Sequence, residues 1–218
     1  MPGTTVVFLG PSLDRESAGK ILPADYRPPV KRGDILQAVE DGACVIGIID
    51  GVFFQDCAVG HREILSALRK GIAVVGSSSM GALRAAELDA HGMVGIGEIY
   101  RKFKVQELES DDEVALIYDP ESFILLSEPL VNIRHNLRRA AERGIIGRST
   151  EEILLRETHR IYFPQRTYRK ICSAAKGTGT VPGEEVDRFL AFVESEGEDL
   201  KRRDAIHALE YIRDLENL

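Results

Sequence analysis

Tryptophan is absent from the chain, and its three cysteines, Cys44, Cys57 and Cys172, form no CxxC pair. Three thiols cannot all pair with one another, so reduced cysteines in a cytoplasmic setting are expected rather than a disulfide framework. The five histidines are scattered and form no cluster with cysteine at metal-ligand spacing, so neither a metal nor another cofactor is expected. No apolar run approaches the ~20 residues that cross a bilayer. The opening residues, MPGTTVVFLGPS, lack the basic segment of a secretion signal and read directly as a strand. Positive charge is the scarcer sign: 28 lysines and arginines face 35 acidic residues, a net charge of -7. That balance argues against generic nucleic-acid or anionic-membrane binding. No internal repeat or low-complexity tract appears.

What is present suits one large or two small domains: 218 residues, 44% hydrophobic and 29% charged, enough to bury a core. The stretch densest in signals is 71–88, GIAVVGSSSMGALRAAEL. Its apolar residues 72–75, rich in β-branching, predict a buried strand, Gly76 breaks it, Ser77, Ser78 and Ser79 form a turn, and 82–88 are helix formers. Unpaired backbone N–H groups at such a helix start face whatever lies above the turn. Ser78 or Ser79 is expected to N-cap the helix. Three consecutive serines exceed what a cap requires, so the turn is also a candidate anion ligand or nucleophile.

Residues 4–9 (TTVVFL) read as a first strand, stopped by Gly10-Pro11, and 16–21 as a short helix. Residues 23–29 are expected to be extended, because proline and the residue before it disfavour helix. A helix from Asp34 closes at Gly42. A second strand, 44–49 (CVIGII), ends at Asp50-Gly51; a loop, 52–60, leads into a helix over 61–70. Strand and helix alternate, which predicts a parallel sheet with crossover helices. Open parallel sheets bind ligands beyond the carboxyl ends of their strands. Those ends carry Ser12, Asp50 and Ser79, and Lys31, just ahead of its crossover helix, is expected at the same edge.

Beyond residue 88 the pattern changes. The glycines at 92, 95 and 97 read as a flexible turn, 98–104 as a helix, and 107–113 (ELESDDE) as a solvated acidic loop. Residues 114–118 and 123–126 read as two more short strands. From Glu128 the periodicity is helical, with Leu130, Ile133, Leu137 and Ala141 on one face. Ser149-x-x-Glu152 reads as a capping box, Pro182 opens one helix, and 201–215 form the last. The fold class is α/β, a parallel sheet with crossover helices in the N-terminal part followed by an all-helical C-terminal part, dividing 1–126 from 127–218.

The candidate chemistry centres on the turn. Ser79 lies in G-x-x-S-x-G, one residue longer than the nucleophile elbow G-x-S-x-G. The N–H groups of Met80 and Gly81 are positioned to stabilise an oxyanion. His61 and His91 are candidate bases, but neither has a visible acidic orienter. A lysine serves as base when burial keeps it neutral; Lys31 arrives from the sheet edge and Lys201 from the helical part. Ser12 is a rival nucleophile, and Cys57 a further one. Arg84, one turn into the helix, is either a carboxylate clamp or an ion pair with Glu87 at i,i+3. Asp50 either caps a turn with Gly51 or orients a catalytic cation.

FLGPSL (8–13), PPVKRGDI (28–35), DGVF (50–53), HREIL (61–65), SMGALRAAEL (79–88), GMVGIGEIY (92–100), DDEVA (111–115) and LKRRDAI (200–206) together resemble the TfuA-like proteins along nearly the whole chain. The resemblance implies action beside YcaO enzymes in backbone thioamidation, in which sulfur replaces an amide oxygen of a peptide or protein. It implies a hydrolase that frees sulfide from the C-terminal thiocarboxylate of a ubiquitin-like sulfur-carrier protein. The implied Ser–Lys pair is drawn from Ser79 or Ser12 and Lys31 or Lys201, with Asp50, Met80, Gly81, Arg84 and His61 around the substrate. The expected partners are the YcaO enzyme, the carrier and the thioamidated peptide or protein. A rival reading is a non-catalytic adaptor that docks YcaO to its substrate, the serine loop binding an anion. A nucleotide-phosphate site is disfavoured, since no P-loop lysine follows the glycines.

Overall fold

Apolar residues line both faces of the N-terminal strands, so helices must cover both sides of the sheet. The computed structural model describes residues 4–53, 57–119, 122 and 124–217. In chain order the elements are β1 (Thr4–Phe8), α1 (Arg15–Ile21), β2 (Asp25–Arg27), α2 (Asp34–Glu40), β3 (Ala43–Ile48), α3 (His61–Arg69), β4 (Ala73–Ser77), α4 (Met80–Leu88), β5 (Val94–Ile96), α5 (Glu98–Lys104), α6 (Leu130–Glu142), α7 (Arg148–Arg160), α8 (Tyr168–Gly177), α9 (Gly183–Glu196) and α10 (Leu200–Glu216). The chain divides into two compact units, one of residues 1–111 and 201–218, the other of residues 112–200. All but the first residue of α10 therefore belongs with the sheet.

In the first unit the five strands run parallel in the order β2-β1-β3-β4-β5. Val6, Phe8, Ile46, Ile48 and Val74 turn to one face, among Ile35, Ala38, Ile64, Ala67 and Ala85 of α2, α3 and α4. Their neighbours Val7, Val45, Ile49 and Val75 turn to the other, against Ala18 of α1 and Ala205, Leu209 and Ile212 of α10. Gly47 lets α10 approach: a Cβ there would lie 2.9 Å from Ile212 Cδ1. Strand order reverses between β1 and β3, since the chain leaves β1 for β2 on one side and returns to β3 on the other. The ends of β1 and β3 thus form the topological switch point, where a crevice opens in sheets of this kind.

Two strands lie where none was expected. β2 falls in the extended stretch around residue 25, and β5 in the glycine-rich stretch read as a turn. Both are three residues long, too short for alternation to register.

The second unit packs α6, α7, α8 and α9 around Ile133, Leu137, Leu154, Ile171 and Phe189. Its acidic entry is not a solvated loop throughout. Glu113 is buried and receives Arg134 in a bidentate pair at 2.9 to 3.1 Å, and Asp112 receives the buried Arg166 at 2.7 Å. The capping box at Ser149 does not form; Gly147 holds the N-cap position of α7, and its amide donates to Glu185 at 2.8 Å. Where two further strands were expected, the described residues show an isolated antiparallel bridge between Tyr118 and Leu125. Phe123, the expected start of the second of these strands, lies outside the described residues. Among the described residues no helix is long and apolar enough to cross a membrane.

Candidate functional site

After β1 the chain turns at Gly10-Pro11 and brings Ser12 over the strand end. The segment following β2 crosses this point; a Cβ on Gly10 would sit 2.5 Å from Pro29 Cγ. It then runs beside the extension of β3: the Val30 N–H donates to the Asp50 carbonyl at 2.9 Å, and the Val52 N–H to the Val30 carbonyl at 3.0 Å. The Asp50 side chain reaches back across the switch point. Its Oδ2 accepts the N–H groups of Gly10 at 2.9 Å and Ser12 at 3.1 Å, and its Oδ1 accepts the Ser12 hydroxyl at 2.6 Å. The Ser78 hydroxyl, arriving from the end of β4, donates to Ser12 Oγ at 2.9 Å. A directed chain therefore runs Ser78 to Ser12 to Asp50. Ser78 is 0% exposed, Asp50 2% and Ser12 3%.

The serine turn is tight because its glycines have no room for a side chain. A Cβ on Gly81 would overlap the Ile48 carbonyl oxygen, and one on Gly76 would lie 2.5 Å from Met93 Cε. The start of α4 consequently presses on the end of β3. Ser78 absorbs the sharp turn with φ +63, in a region that non-glycine residues rarely occupy. Ser79 holds the N-cap position of α4 but makes no side-chain cap bond, so the expected serine cap is not formed. Its N–H bonds the Ser77 carbonyl at 2.8 Å, and the Gly81 N–H faces the Ile49 carbonyl at 3.4 Å. The Gly81 amide thus points into the fold, while Met80 fills the space beside Gly51. Ser77 shares its one hydroxyl proton between the carbonyls of Ile96 at 2.8 Å and Asp204 at 2.9 Å.

The two candidate lysines differ sharply. Lys31 is exposed, and its amide caps onto Asp34 Oδ2 at 2.9 Å. Lys201 is 2% exposed, in the first turn of α10. That turn is tied to both hydroxyl-bearing loops. Arg202 pairs with Asp14, two residues beyond Ser12, at 3.3 Å, and the Asp204 carbonyl receives Ser77, next to Ser78. Lys201 and Asp204 are three apart on the helix and so share a face.

Arg84 and His61 lie elsewhere. Arg84 Nη1 is 2.6 Å and His61 Nε2 2.7 Å from the same Glu87 oxygen, at the protein surface. His61 therefore has an acidic partner that the sequence did not reveal, and Arg84 takes the ion-pair role. Cys57 is exposed, its carbonyl accepting the Arg32 N–H at 2.7 Å.

A cleft of about 490 Å³ opens beside β5, lined by residues that include Gly95, Ile96, Gly97, Arg203, Asp204 and His207. The Ser77 hydroxyl joins this wall to the serine turn. Asp204 is fully buried; its Oδ2 accepts the Ile99 N–H at 2.7 Å, and burial pushes its carboxyl above the ordinary range.

Sequence reasoning took the three-serine turn as a candidate nucleophile and singled out Ser79, naming Ser78 by itself only as a cap. Counted from Gly76, the spacing G-x-S ends on Ser78, although Met80 stands where the second glycine of the elbow would be.

A parallel sheet covered on both faces, with a buried hydroxyl–carboxylate chain at its switch point, defines the class: an α/β protein with a polar cluster enclosed at its strand ends. The family model described as TfuA-like protein matches residues 50–167, more than half of the chain, and the chain belongs to that family. Membership implies an accessory role associated with YcaO enzymes. No curated protein matches the chain. The matched span holds Asp50 and the serine turn; Ser12, Lys31 and Lys201 lie outside it.

Proposed function

We propose that this protein hydrolyses the C-terminal thiocarboxylate of a ubiquitin-like sulfur-carrier protein and supplies the sulfide to a YcaO enzyme in the cytoplasm. The observation that carries the reading is the buried Ser78–Ser12–Asp50 chain, together with a buried lysine on the helix turn tied to both serine loops. A serine oxygen attacks the thiocarboxylate carbon, and its proton passes to the uncharged Lys201 amine, directly or through a neighbouring hydroxyl. The C–S bond breaks, and the amine returns that proton to the sulfur, which leaves as hydrosulfide. Water then cleaves the acyl ester, freeing the carrier carboxylate and the serine. The step needs the amine in its neutral form, and loss of contact with water penalises the charged one. The cleft beside β5 is the proposed path for the carrier's extended tail.

Purified protein mixed with thiocarboxylated carrier should convert it to the carboxylate with release of sulfide. Lys201→Met should lower turnover about 10²-fold or more, the usual worth of a general base, and Lys31→Met should change it little. Undiminished turnover in Lys201→Met would remove the Ser–Lys mechanism. The burial of all three groups also favours a second reading, in which the hydroxyls only brace an adaptor that docks YcaO to its substrate. In that case no sulfide appears, yet YcaO turnover still rises on addition of the protein.

A further inference from the structure

We infer that the cleft beside β5 docks an extended, acidic polypeptide segment, which pairs with β5 and completes the sheet as a sixth strand. On the hydrolase reading above, on which this point rests, the segment is the tail of the sulfur carrier.

β5 ends the strand order and pairs, among the described residues, with β4 alone. Both of its faces are taken. Val94 and Ile96 pack against the cluster that holds Ala205 and Leu209 of α10. On the opposite face the Tyr100 ring of α5 presses on Gly95, where a Cβ would lie 2.2 Å from Tyr100 Cε2. The in-plane side stays open, and the cleft lies there, lined by β5 itself, by α5 from one face and by α10 from the other. A free sheet edge presents backbone N–H and C=O groups, which are what an extended peptide binds. A three-residue strand, ~10 Å long, ~5 Å wide and ~10 Å deep, fills about 500 Å³. The cleft offers a volume of the same order, about 490 Å³.

The other edge of the sheet is guarded. In β2, Asp25 and Arg27 pair at 2.8 Å, and Arg27 also pairs with Asp41 at 2.8 Å. Charges on an edge strand discourage the addition of another strand. β5 reads VGI and carries none. The edge without charges is thus the one with a strand-sized space beside it.

Charge selects the occupant. Glu98 is engaged by Lys102 and Arg203. Arg101 and His207 also line the cleft and make no ion pair among the described residues. Asp204 is sealed from solvent, and burial pushes its carboxyl up, which favours the uncharged form. A cationic wall remains on a chain of net charge -7, and acidic side chains complement it.

Direction follows from the sheet. The serine turn lies at the carboxyl end of β4, and the Ser77 hydroxyl donates to the Ile96 carbonyl at 2.8 Å. A tail that delivers its C-terminus to this end runs parallel to β5, and the strand's length engages about three tail residues.

The carrier in its carboxylate form binds without turnover and serves as the probe. Hydrogen exchange read by mass spectrometry should slow about 10-fold or more over residues 93–97 when the carrier is bound. The double variant Arg101→Glu/His207→Glu, at two exposed positions, should bind the carrier about 10-fold more slowly at low salt, and the difference should shrink at high salt. A photoreactive residue near the end of the tail should cross-link close to Gly97, and one about three positions earlier close to Val94. The reverse order would overturn the inference. So would a carrier that does not bind, one that binds and leaves 93–97 unprotected, or an unaltered association rate in the double variant. If 93–97 is protected but thiocarboxylated carrier yields no sulfide, the hydrolase reading fails and the docking site stands. Sulfide release with 93–97 unprotected has the opposite meaning.

Discussion

Replacing Asp50 by alanine asks how far one carboxylate holds the strand ends together. The change removes the acceptor for the Gly10 and Ser12 amides and for the Ser12 hydroxyl, all inside the fold. The hydroxyl can rotate toward Ser78, but the two amides have fixed directions. At about 1–3 kcal/mol for each buried donor left unpaired, the loss is about 2–6 kcal/mol. That is a large part of the ~5–15 kcal/mol that typically stabilises a domain. Asp50→Asn keeps a carbonyl for both amides and loses the charge assistance, so it should cost only about 1 kcal/mol. Hydrogen exchange read by mass spectrometry on peptides covering residues 8–13 and 45–51 measures the difference locally. Each ~3 kcal/mol of lost local stability accelerates exchange about 10²-fold. The reasoning fails if Asp50→Ala exchanges within about threefold of the parent, or if asparagine is as damaging as alanine.

Other perturbations probe the supports of the same edge. Gly81→Ala drives a Cβ into the Ile48 carbonyl, a backbone atom that cannot step aside, so α4 must shift. A loss of about 3 kcal/mol, or roughly 10 °C in melting temperature, is expected, and an unchanged melting curve would contradict the packing described. Thiol titration should find Cys44 and Cys57 reacting quickly and Cys172 only on unfolding, because Cys172 is buried and burial pushes its thiol up to about 11; three fast thiols would be inconsistent with this. The Ser17 amide and hydroxyl, with Arg202, hold the Asp14 carboxyl at about 2 against an ordinary 3.8. The folded state binds that proton more weakly, so the cap's contribution is complete above 3.8 and disappears as pH falls through about 2. An NMR titration of Asp14 should show this low midpoint, and a midpoint near 3.8 would refute the cap.

The parallel sheet could be read from the sequence because β1, β3 and β4 are apolar on both faces and separated by amphipathic helices. β2 and β5 could not, since each is a three-residue strand recruited by pairing with a neighbour already in place. The return of α10 to the sheet was equally hidden. Its apolar stripe of Ala205, Leu209 and Ile212 announces a buried face without saying which surface buries it. At the site, Ser12 and Asp50 were placed at strand ends by topology alone, yet their mutual bond depends on the strand order, which brings β1 beside β3. Ser79 was preferred to Ser78 because a positive φ leaves no mark when the residue is not glycine or asparagine. His61 showed no acid in its own segment because Glu87 reaches it from a different helix.

The most direct measurement of the catalytic account is rapid acid quenching of the protein during turnover of thiocarboxylated carrier, followed by intact and peptide-level mass spectrometry. The account predicts a transient, alkali-labile adduct of enzyme and carrier that maps to a serine of the Ser78–Ser12 pair. Sulfide release with no acylated serine at any time, and with turnover abolished in Cys57→Ala, would contradict it.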